Sequence, residues 1–224
     1  IDYRLKVRGI PLRWRTHISD WNPNNAAAAR DLIDVTTLPG GTYRLTMHQW
    51  LEPSPQDLWP FFSNAANLEE ITPASVQFNV ITPQPVDMHP GTLIDYRLKV
   101  RGIPLRWRTH ISDWNPPERF IDQQVRGPYD LWHHEHRFVA DGSGTRCTDT
   151  VHYRVPGGPL SPLVHAMFVG PDVRKIFAHR AVVLADRFAS GRVVASSPDG
   201  STQAKAERSA ALDNGHAPST MQPA

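Results

Sequence analysis

Two histidines separated by one residue, His134 and His136, are the first candidates for chemistry in this sequence. They lie in the segment LWHHEHRF at 131–138, whose alternation is typical of a β-strand, so both imidazoles point to one face of a sheet. Trp132 and Phe138 share that face, and we expect these aromatic residues to turn it inward. Paired imidazoles in an apolar interior can ligate a metal, move protons or hydrogen-bond buried acids.

Acidic side chains reach the same predicted face from two further strand segments. In 119–125, Phe120 shares its face with Asp122 and Gln124, and in 145–155 the apolar face carries Asp149 and Tyr153. A concave apolar surface with a few convergent polar groups is typical of a small-molecule pocket. The predicted ligand-binding residues are Tyr96, Trp107, Asp122, Gln124, Trp132, His134, His136, Asp149, Tyr153 and Arg180.

The last of these residues, Arg180, falls on the apolar face of a predicted helix. At 100° per residue it lies near the middle of the apolar stripe that runs from Val173 to Leu184. A buried cation is costly unless it is paired. Arg180 therefore either holds an anionic or carbonyl group of a ligand or forms an ion pair with Asp122 or Asp149. The ion pair is the simpler interpretation, because a buried charge needs a partner with or without a ligand.

The paired histidines allow three interpretations. With Asp122 or Asp149 as a third ligand, His134 and His136 resemble a metal-ligand set. Hydrogen bonds between the imidazoles and the inner carboxylates satisfy the same groups more simply. A His paired with an Asp in a dry cavity can also transfer protons, so these four residues are the candidates for acid–base catalysis. No nucleophile is indicated, because Cys147 is the only cysteine and no serine lies in a nucleophile-elbow motif.

Composition narrows the class of protein. The chain has 224 residues, 40% of them hydrophobic, and a formal net charge of only +2, which gives no support to nucleic-acid binding. A single cysteine excludes an intrachain disulfide framework and suits a reducing compartment. No apolar run approaches the ~18–20 residues that span a bilayer, and no signal segment opens the sequence. We expect a cytoplasmic protein without a transmembrane segment.

A verbatim repeat joins two parts of the chain: residues 1–23 and residues 94–116 have the same sequence. Each copy reads as a β-hairpin, two alternating segments separated by a Gly-Ile-Pro break. The second copy lies among the other predicted strands. The first copy is either disordered, added to a sheet edge, or substituted for its twin in another molecule, and the last outcome would favour homodimers.

The remaining pattern divides the chain into three parts. Residues 1–41 are an N-terminal extension that ends in a linker, NNAAAARDLIDVTTLPGG, with a short possible helix. Residues 42–189 form the domain, and 190–224, poor in large apolar residues, are expected to be disordered. Predicted strands lie at 42–51, 76–81, 119–125, 131–140 and 145–155 and in the hairpin; short helices open at Ser54 and near 65–70, and a long helix runs over 173–188.

A family resemblance rests on EITP at 70–73, GTLIDY at 91–96, IPLRWRT at 103–109, RFIDQQVRGPY at 119–129, LWHHEHRF at 131–138 and PDVRKIFAHR at 171–180. The core resembles bacterial SRPBCC-type, START-like (Bet v 1-like) proteins described as cyclase/dehydrase-like or ligand-binding. The resemblance implies an α+β helix-grip fold: a curved antiparallel seven-stranded sheet around a long C-terminal helix, with two short helices after the first strand. It implies a cavity for a small hydrophobic or amphipathic molecule, or alternatively a polyketide cyclase/dehydratase-like enzyme, and no metal or other cofactor.

Overall fold

The computed structural model describes residues 32–188 and the backbone of two strands, β1 (Asp2–Val7) and β2 (Ile10–Arg15). The predicted disorder of 190–224 and the possible helix after residue 24 lie outside the described residues. The other elements are β3 (Ile33–Leu38), β4 (Thr42–Leu51), α1 (Pro55–Phe62), β5 (Asn79–Val80), β6 (Leu93–Val100), β7 (Ile103–Asn115), β8 (Arg119–Arg126), β9 (Leu131–Asp141), β10 (Gly144–Arg154), α2 (Ser161–Val164) and α3 (Gly170–Phe188).

The eight strands from β3 to β10 form one antiparallel sheet in the order β3-β4-β10-β9-β8-β7-β6-β5. The sheet curves, and the long helix α3 buries its apolar residues Val173, Phe177, Leu184 and Phe188. A helix with one apolar face needs such a surface to cover it. The predicted α+β helix-grip class is confirmed.

The sheet has eight strands rather than the predicted seven, because β3 lies in the segment interpreted as a linker. Its residues pair with β4, with Val35 opposite Leu45, and Ile33 is buried. Gly40 and Gly41 both have φ near +70°, which lets the chain reverse tightly between the two strands. The linker prediction is therefore wrong for 33–38. The predicted strand at 76–81 is also shorter than expected, because 74–76 form a 3₁₀ turn and only Asn79–Val80 pair.

Local capping explains where α1 begins. The Ser54 side chain accepts a hydrogen bond from the backbone N–H of Asp57, which confirms the predicted start of this helix, and Pro55 occupies the first helical position. Leu58 and Phe61 are buried and pack in the same cluster as Phe188 of α3. The helix therefore covers one end of the sheet.

A π-helical turn separates α2 from α3. Residues His165–Val169 adopt this wider turn between α2 and α3, and the Gly170 N–H bonds to the His165 carbonyl five residues earlier. Pro171 has no N–H, so a continuous α-helical ladder could not be completed here. A Cβ on Gly170 would meet the His165 ring at 3.0 Å, which explains the need for glycine.

The two repeated segments form hairpins with one register. Asp2 pairs with Arg15 in the first copy, as Asp95 pairs with Arg108 in the second. Among the described strands, β1 and β2 pair only with each other, whereas β6 and β7 belong to the eight-stranded sheet. Within the described ranges, no helix has the length and apolarity needed to cross a membrane.

Candidate functional site

A cavity of about 1310 Å³ lies between the sheet, α1 with the turns that follow it, and the helical segment that includes α3. Ligand pockets usually measure about 300–1,000 Å³, so this one has room for a sizeable small molecule. Most of its lining is apolar or aromatic. Representative lining residues are Phe61, Ile71, Leu98, Trp107, Trp132 and Phe177.

Four polar side chains form a ring-shaped cluster on the sheet. His134 Nε2 lies 2.7 Å from Asp149 Oδ1, and His136 Nε2 lies 2.9 Å from Asp122 Oδ2. The remaining nitrogens approach the opposite acids: His136 Nδ1 is 2.9 Å from Asp149 Oδ1, and His134 Nδ1 is 3.4 Å from Asp122 Oδ2. Each imidazole therefore lies between two carboxylates.

The strand order explains this arrangement. Strand β9, which carries both histidines, lies between β8 and β10, each of which carries one acid. Asp122 is directly opposite His134, and Asp149 is directly opposite His136. Side chains that are opposite each other in antiparallel strands have Cβ atoms ~4.5–5.5 Å apart, so these four meet without any unusual backbone.

The neighbouring imidazoles keep both acids ionised. Burial raises the pKa of Asp149, but the hydrogen bonds with His134 and His136 outweigh burial and hold that pKa well below its usual value. Burial also raises the pKa of Asp122, and the same two imidazoles again outweigh it, so its pKa is lowered. Both carboxylates are therefore charged at neutral pH.

The two histidines respond in opposite directions. Burial lowers the pKa of His134 to about 4, helped by repulsion from His136, whose ring centroid is only 3.7 Å away. Burial also lowers the pKa of His136, but its hydrogen bonds to Asp122 and Asp149 outweigh that effect and raise it. The geometry agrees, because both nitrogens of His136 are within 2.9 Å of a carboxylate, as a doubly protonated ring requires. His134 is therefore neutral at neutral pH, and His136 holds a proton more readily than His134 does.

Arg180 adds a permanent positive charge to the site. It is 7% exposed, its Nη1 lies 3.6 Å from Asp149 Oδ1, and its guanidinium lies over the Phe177 ring, 4.9 Å from the centroid. Its buried Nε has no hydrogen-bond partner among the described residues. Asp149 is therefore the counter-ion of Arg180, and the Nε–H group of Arg180 has no acceptor among the described residues.

The structure brings seven of the ten predicted binding residues to the cavity wall. Three others lie elsewhere. Gln124 hydrogen-bonds both the backbone N–H and the carbonyl of Tyr129, Asp149 lies behind the two imidazoles, and the Tyr153 hydroxyl lies 2.8 Å from His165 Nε2. The seven that line the cavity are Tyr96, Trp107, Asp122, Trp132, His134, His136 and Arg180.

Two features of the cavity were not predicted from the sequence. Tyr129 packs against Trp107 and Trp132, with ring centroids 5.7 and 4.9 Å away, and completes an aromatic wall. Strand alternation did not predict the position of Tyr129, because this residue follows a Gly-Pro turn. An aromatic residue directly after a turn could have indicated a contact with the cavity. The second feature is a bidentate ion pair between Arg101, at the β6–β7 turn, and Asp172 of α3, with N–O distances of 2.7 and 2.8 Å.

Asp122, His134 and His136 are also close enough to hold a metal ion, since one ligand atom from each lies within 4.8 Å of the others. The hydrogen bonds within the cluster already satisfy both nitrogens of His136 and one of His134. The arrangement is therefore complete as a hydrogen-bonded cluster, and the absence of a metal stays a prediction.

Comparison with models of protein families shows which family the chain belongs to. Residues 51–180 match the family model described as "Polyketide cyclase / dehydrase and lipid transport". The chain belongs to this family. The SRPBCC, Bet v 1-like assignment made from the sequence is thereby confirmed. No curated protein matches the chain significantly.

Solved structures with the same fold come from several organisms. A protein from Mycobacterium smegmatis is 18% identical, with a TM-score of 0.50, over 69% of this chain and 98% of that one. A Thermus thermophilus protein is 16% identical, with a TM-score of 0.50, over 64% and 98% of the two chains. An Arthrobacter aurescens protein is 11% identical, with a TM-score of 0.52, over 69% and 92%. Identities this low establish the fold alone.

Proposed function

We propose that the protein binds a small amphipathic molecule, with the apolar body of the molecule in the cavity and a polar group against Arg180. The observation that carries this proposal is the Arg180 guanidinium, a cation on the apolar cavity wall whose Nη1 lies 3.6 Å from its carboxylate partner Asp149. A buried cation without close acceptors is costly, and an oxygen atom of a ligand that contacts the guanidinium would lower that cost.

The shape and charge of the cavity narrow the class of ligand. The wall formed by Trp107, Tyr129 and Trp132 favours a molecule with planar rings, because aromatic faces stack in offset or edge-on arrangements. Arg180 is a cation with one distant carboxylate partner, so the group near it is a carbonyl oxygen or a single anionic oxygen. A family with lipid transport in its description is in keeping with a bound apolar molecule.

Binding of 1-anilinonaphthalene-8-sulfonate, which combines planar rings with one anionic group, tests the proposal. Hydrogen bonds to charged groups contribute about 1.5–3 kcal/mol, so Arg180→Met should weaken binding by at least tenfold. The control is Lys175→Met, which removes a charge from the same helix at a residue that does not line the cavity. Equal dissociation constants for the two variants would contradict the role of Arg180. Native mass spectrometry of the purified protein would show any ligand carried along.

A second candidate function, dehydration or cyclisation of a polyketide-like carbonyl compound, is favoured by the hydrogen bond between Asp122 and His136, whose pKa is raised. In a dehydration, the Asp122 carboxylate takes the proton from the carbon next to the carbonyl, and the carbon–carbon double bond forms. The β-hydroxyl group takes a proton from His136 and leaves as water. The proton then passes from Asp122 to His136 over the 2.9 Å that separates them, which restores both groups.

The β-hydroxyketone 4-hydroxy-4-phenylbutan-2-one is a suitable probe for this activity, because its dehydration product absorbs in the ultraviolet. Wild type should form product faster than His136→Ala by the ~10²–10⁴-fold typical of general acid–base catalysis. His133→Ala, on the opposite face of the same strand, is the matched control. Unchanged rates in His136→Ala would remove this residue from the mechanism.

Two further proposals concern the state of the protein in the cell. A homodimer through the duplicated hairpin is tested by light scattering of chains with and without residues 1–23, and equal masses would exclude it. A cytoplasmic location, supported by the single buried Cys147, is tested by cell fractionation.

A further inference from the structure

The polar groups of the cavity lie between two apolar regions of its wall. The inward face of β9 carries Trp132, His134, His136 and Phe138 in turn, so an aromatic residue bounds the two imidazoles at each end. At a rise of ~3.3 Å per residue, the stretch from Trp132 to Phe138 extends over roughly 20 Å. Trp132 packs against one core cluster, and Phe138 belongs to another. The imidazoles therefore separate two apolar clusters along this strand.

Helix α3 shows the same order of side chains. Phe177 belongs to the core cluster against which Trp132 packs, and Leu184 belongs to the cluster of Phe138. Arg180 lies between Phe177 and Leu184, about one helical turn from each. The helix therefore places its cation between the two clusters, as β9 places its imidazoles.

Shared contacts with Asp149 show that these polar groups lie at one level. Asp149 Oδ1 is 2.7 Å from His134 Nε2 and 2.9 Å from His136 Nδ1. The same oxygen is 3.6 Å from Arg180 Nη1. Arg180 and both imidazoles line the cavity, and Asp122 lines it beside them. The polar belt of the cavity consists of Asp122, His134, His136 and Arg180.

The apolar region on the Trp132 side is aromatic and contains the mouth of the cavity. Trp107, Tyr129 and Trp132 pack against one another, with ring centroids 4.9 to 5.7 Å apart. Helix α2 packs against the same cluster, and there Leu160 and Leu163 line the cavity although they are 65% and 58% exposed. Solvent therefore reaches the cavity on this side. A planar ring would stack in this mouth region.

The apolar region on the Phe138 side is closed. Its buried lining residues, each at most 8% exposed, are Phe61, Ala65, Ile71 and Phe120. The polar side chains on the same wall are engaged locally, because Asn64, Asn67 and Thr72 hydrogen-bond backbone groups of residues 61–68. This closed region therefore suits an apolar group that extends past the polar belt.

We propose that the ligand carries its polar group in its interior, between a planar ring and an apolar chain. The ring lies in the mouth region, an oxygen atom meets Arg180 at the polar belt, and the chain fills the closed region. This inference rests on the proposed function and specifies its ligand class as aryl alkyl ketones and related molecules. A molecule with a terminal polar group at Arg180 would leave one apolar region unfilled, so it would bury less apolar surface and bind less tightly.

Two isomeric ketones test the position of the polar group. In 1-phenyloctan-1-one the carbonyl lies between the ring and the chain, and in 8-phenyloctan-2-one it lies near the far end of the chain. Displacement of 1-anilinonaphthalene-8-sulfonate measures both affinities. Wild type should bind 1-phenyloctan-1-one at least about tenfold more tightly, because its isomer cannot fill both regions while its carbonyl meets Arg180. The variant Arg180→Met should lose most of this preference.

The outcomes separate this inference from the proposed function. Equal affinities of the two ketones in wild type, with both weakened by Arg180→Met, would overturn the interior position of the polar group and keep the contact with Arg180. If Arg180→Met changes the affinity of neither ketone nor of the naphthalene probe, the proposed function is wrong, and this inference with it.

A substitution in the closed region gives a second test. Ala65→Leu fills part of this region, so it should weaken 1-phenyloctan-1-one about tenfold more than 1-phenylethanone, whose chain is one methyl group. This factor corresponds to the burial of about two methylene groups. Ala66→Leu is the matched control, because Ala66 is exposed and does not line the cavity. Equal effects of Ala65→Leu on the two ketones would show that the chain lies elsewhere and would overturn the proposal.

Discussion

Replacing Asp149 by asparagine should destabilise the domain through charge alone. The side chain is 8% exposed and lies 2.7 and 2.9 Å from His134 and His136, with Arg180 at 3.6 Å. Asparagine keeps the shape, but its NH₂ group faces an imidazole that also donates, and two cations lose their counter-charge. Breaking a buried ion pair costs about 3–5 kcal/mol. In a domain of this size, that lowers Tm by about 10 °C.

The pH dependence separates this mechanism from a packing defect. The pKa of Asp149 is held well below its usual value, so the stability it contributes is present above the unfolded pKa of about 4. That contribution is lost as pH falls through the folded pKa. The difference between wild type and Asp149→Asn should therefore narrow below about pH 4.

Urea denaturation at pH 7, 5 and 3.5 measures this difference. Asp113→Asn is the control, because Asp113 forms a half-exposed pair with Arg119, and such pairs contribute about 0–1 kcal/mol. A loss below 1 kcal/mol for Asp149→Asn at pH 7, or a loss that does not change with pH, would refute the assignment of charges in the cluster.

Three other substitutions have defined outcomes. Burial lowers the pKa of His134 to about 4, so the folded protein resists protonation of this ring and loses stability as pH falls from 6.5 towards 4. The variant His134→Gln should lose less stability than wild type over that interval, as measured by urea midpoints. Gly170→Ala should cost about 1–3 kcal/mol in thermal unfolding because its Cβ meets the His165 ring. Arg101→Gln removes the partly buried pair that joins the β6–β7 turn to α3 beside the cavity, so it should speed release of the naphthalene probe in stopped-flow fluorescence.

The sequence pattern was sufficient to assign the polar residues to faces. Alternation along 119–125, 131–138 and 145–155 put Asp122, Asp149 and the two histidines on one side of the sheet, which the structure places together in one cluster. The helical period put Arg180 among apolar neighbours, and it is buried there. These positions follow from the periods of strand and helix alone.

Other features depended on contacts distant in sequence. The strand β3 carries Asp34 and two threonines in six residues, so its pattern is weak, and its strand character comes from pairing with β4. Alternation gives the face of Asp149 and Tyr153, but their distance from the cavity depends on how α2 and α3 cover the sheet. Tyr129 lies on a turn, where no period applies. Strict alternation also does not predict the β-bulge in β7 between Ile111 and Asp113.

The polar cluster and the repeated hairpin belong to different walls of the cavity. Asp122, His134, His136 and Asp149 lie on β8, β9 and β10, and Arg180 lies on α3, so none of them is encoded twice. The hairpin contributes shape, with Tyr96, Leu98 and Trp107, and it is encoded twice. The strands that shape the cavity are therefore not the elements that carry its ionisable groups. Substitutions in β6 and β7 change which ligand outline fits, and the charges that the ligand meets stay the same.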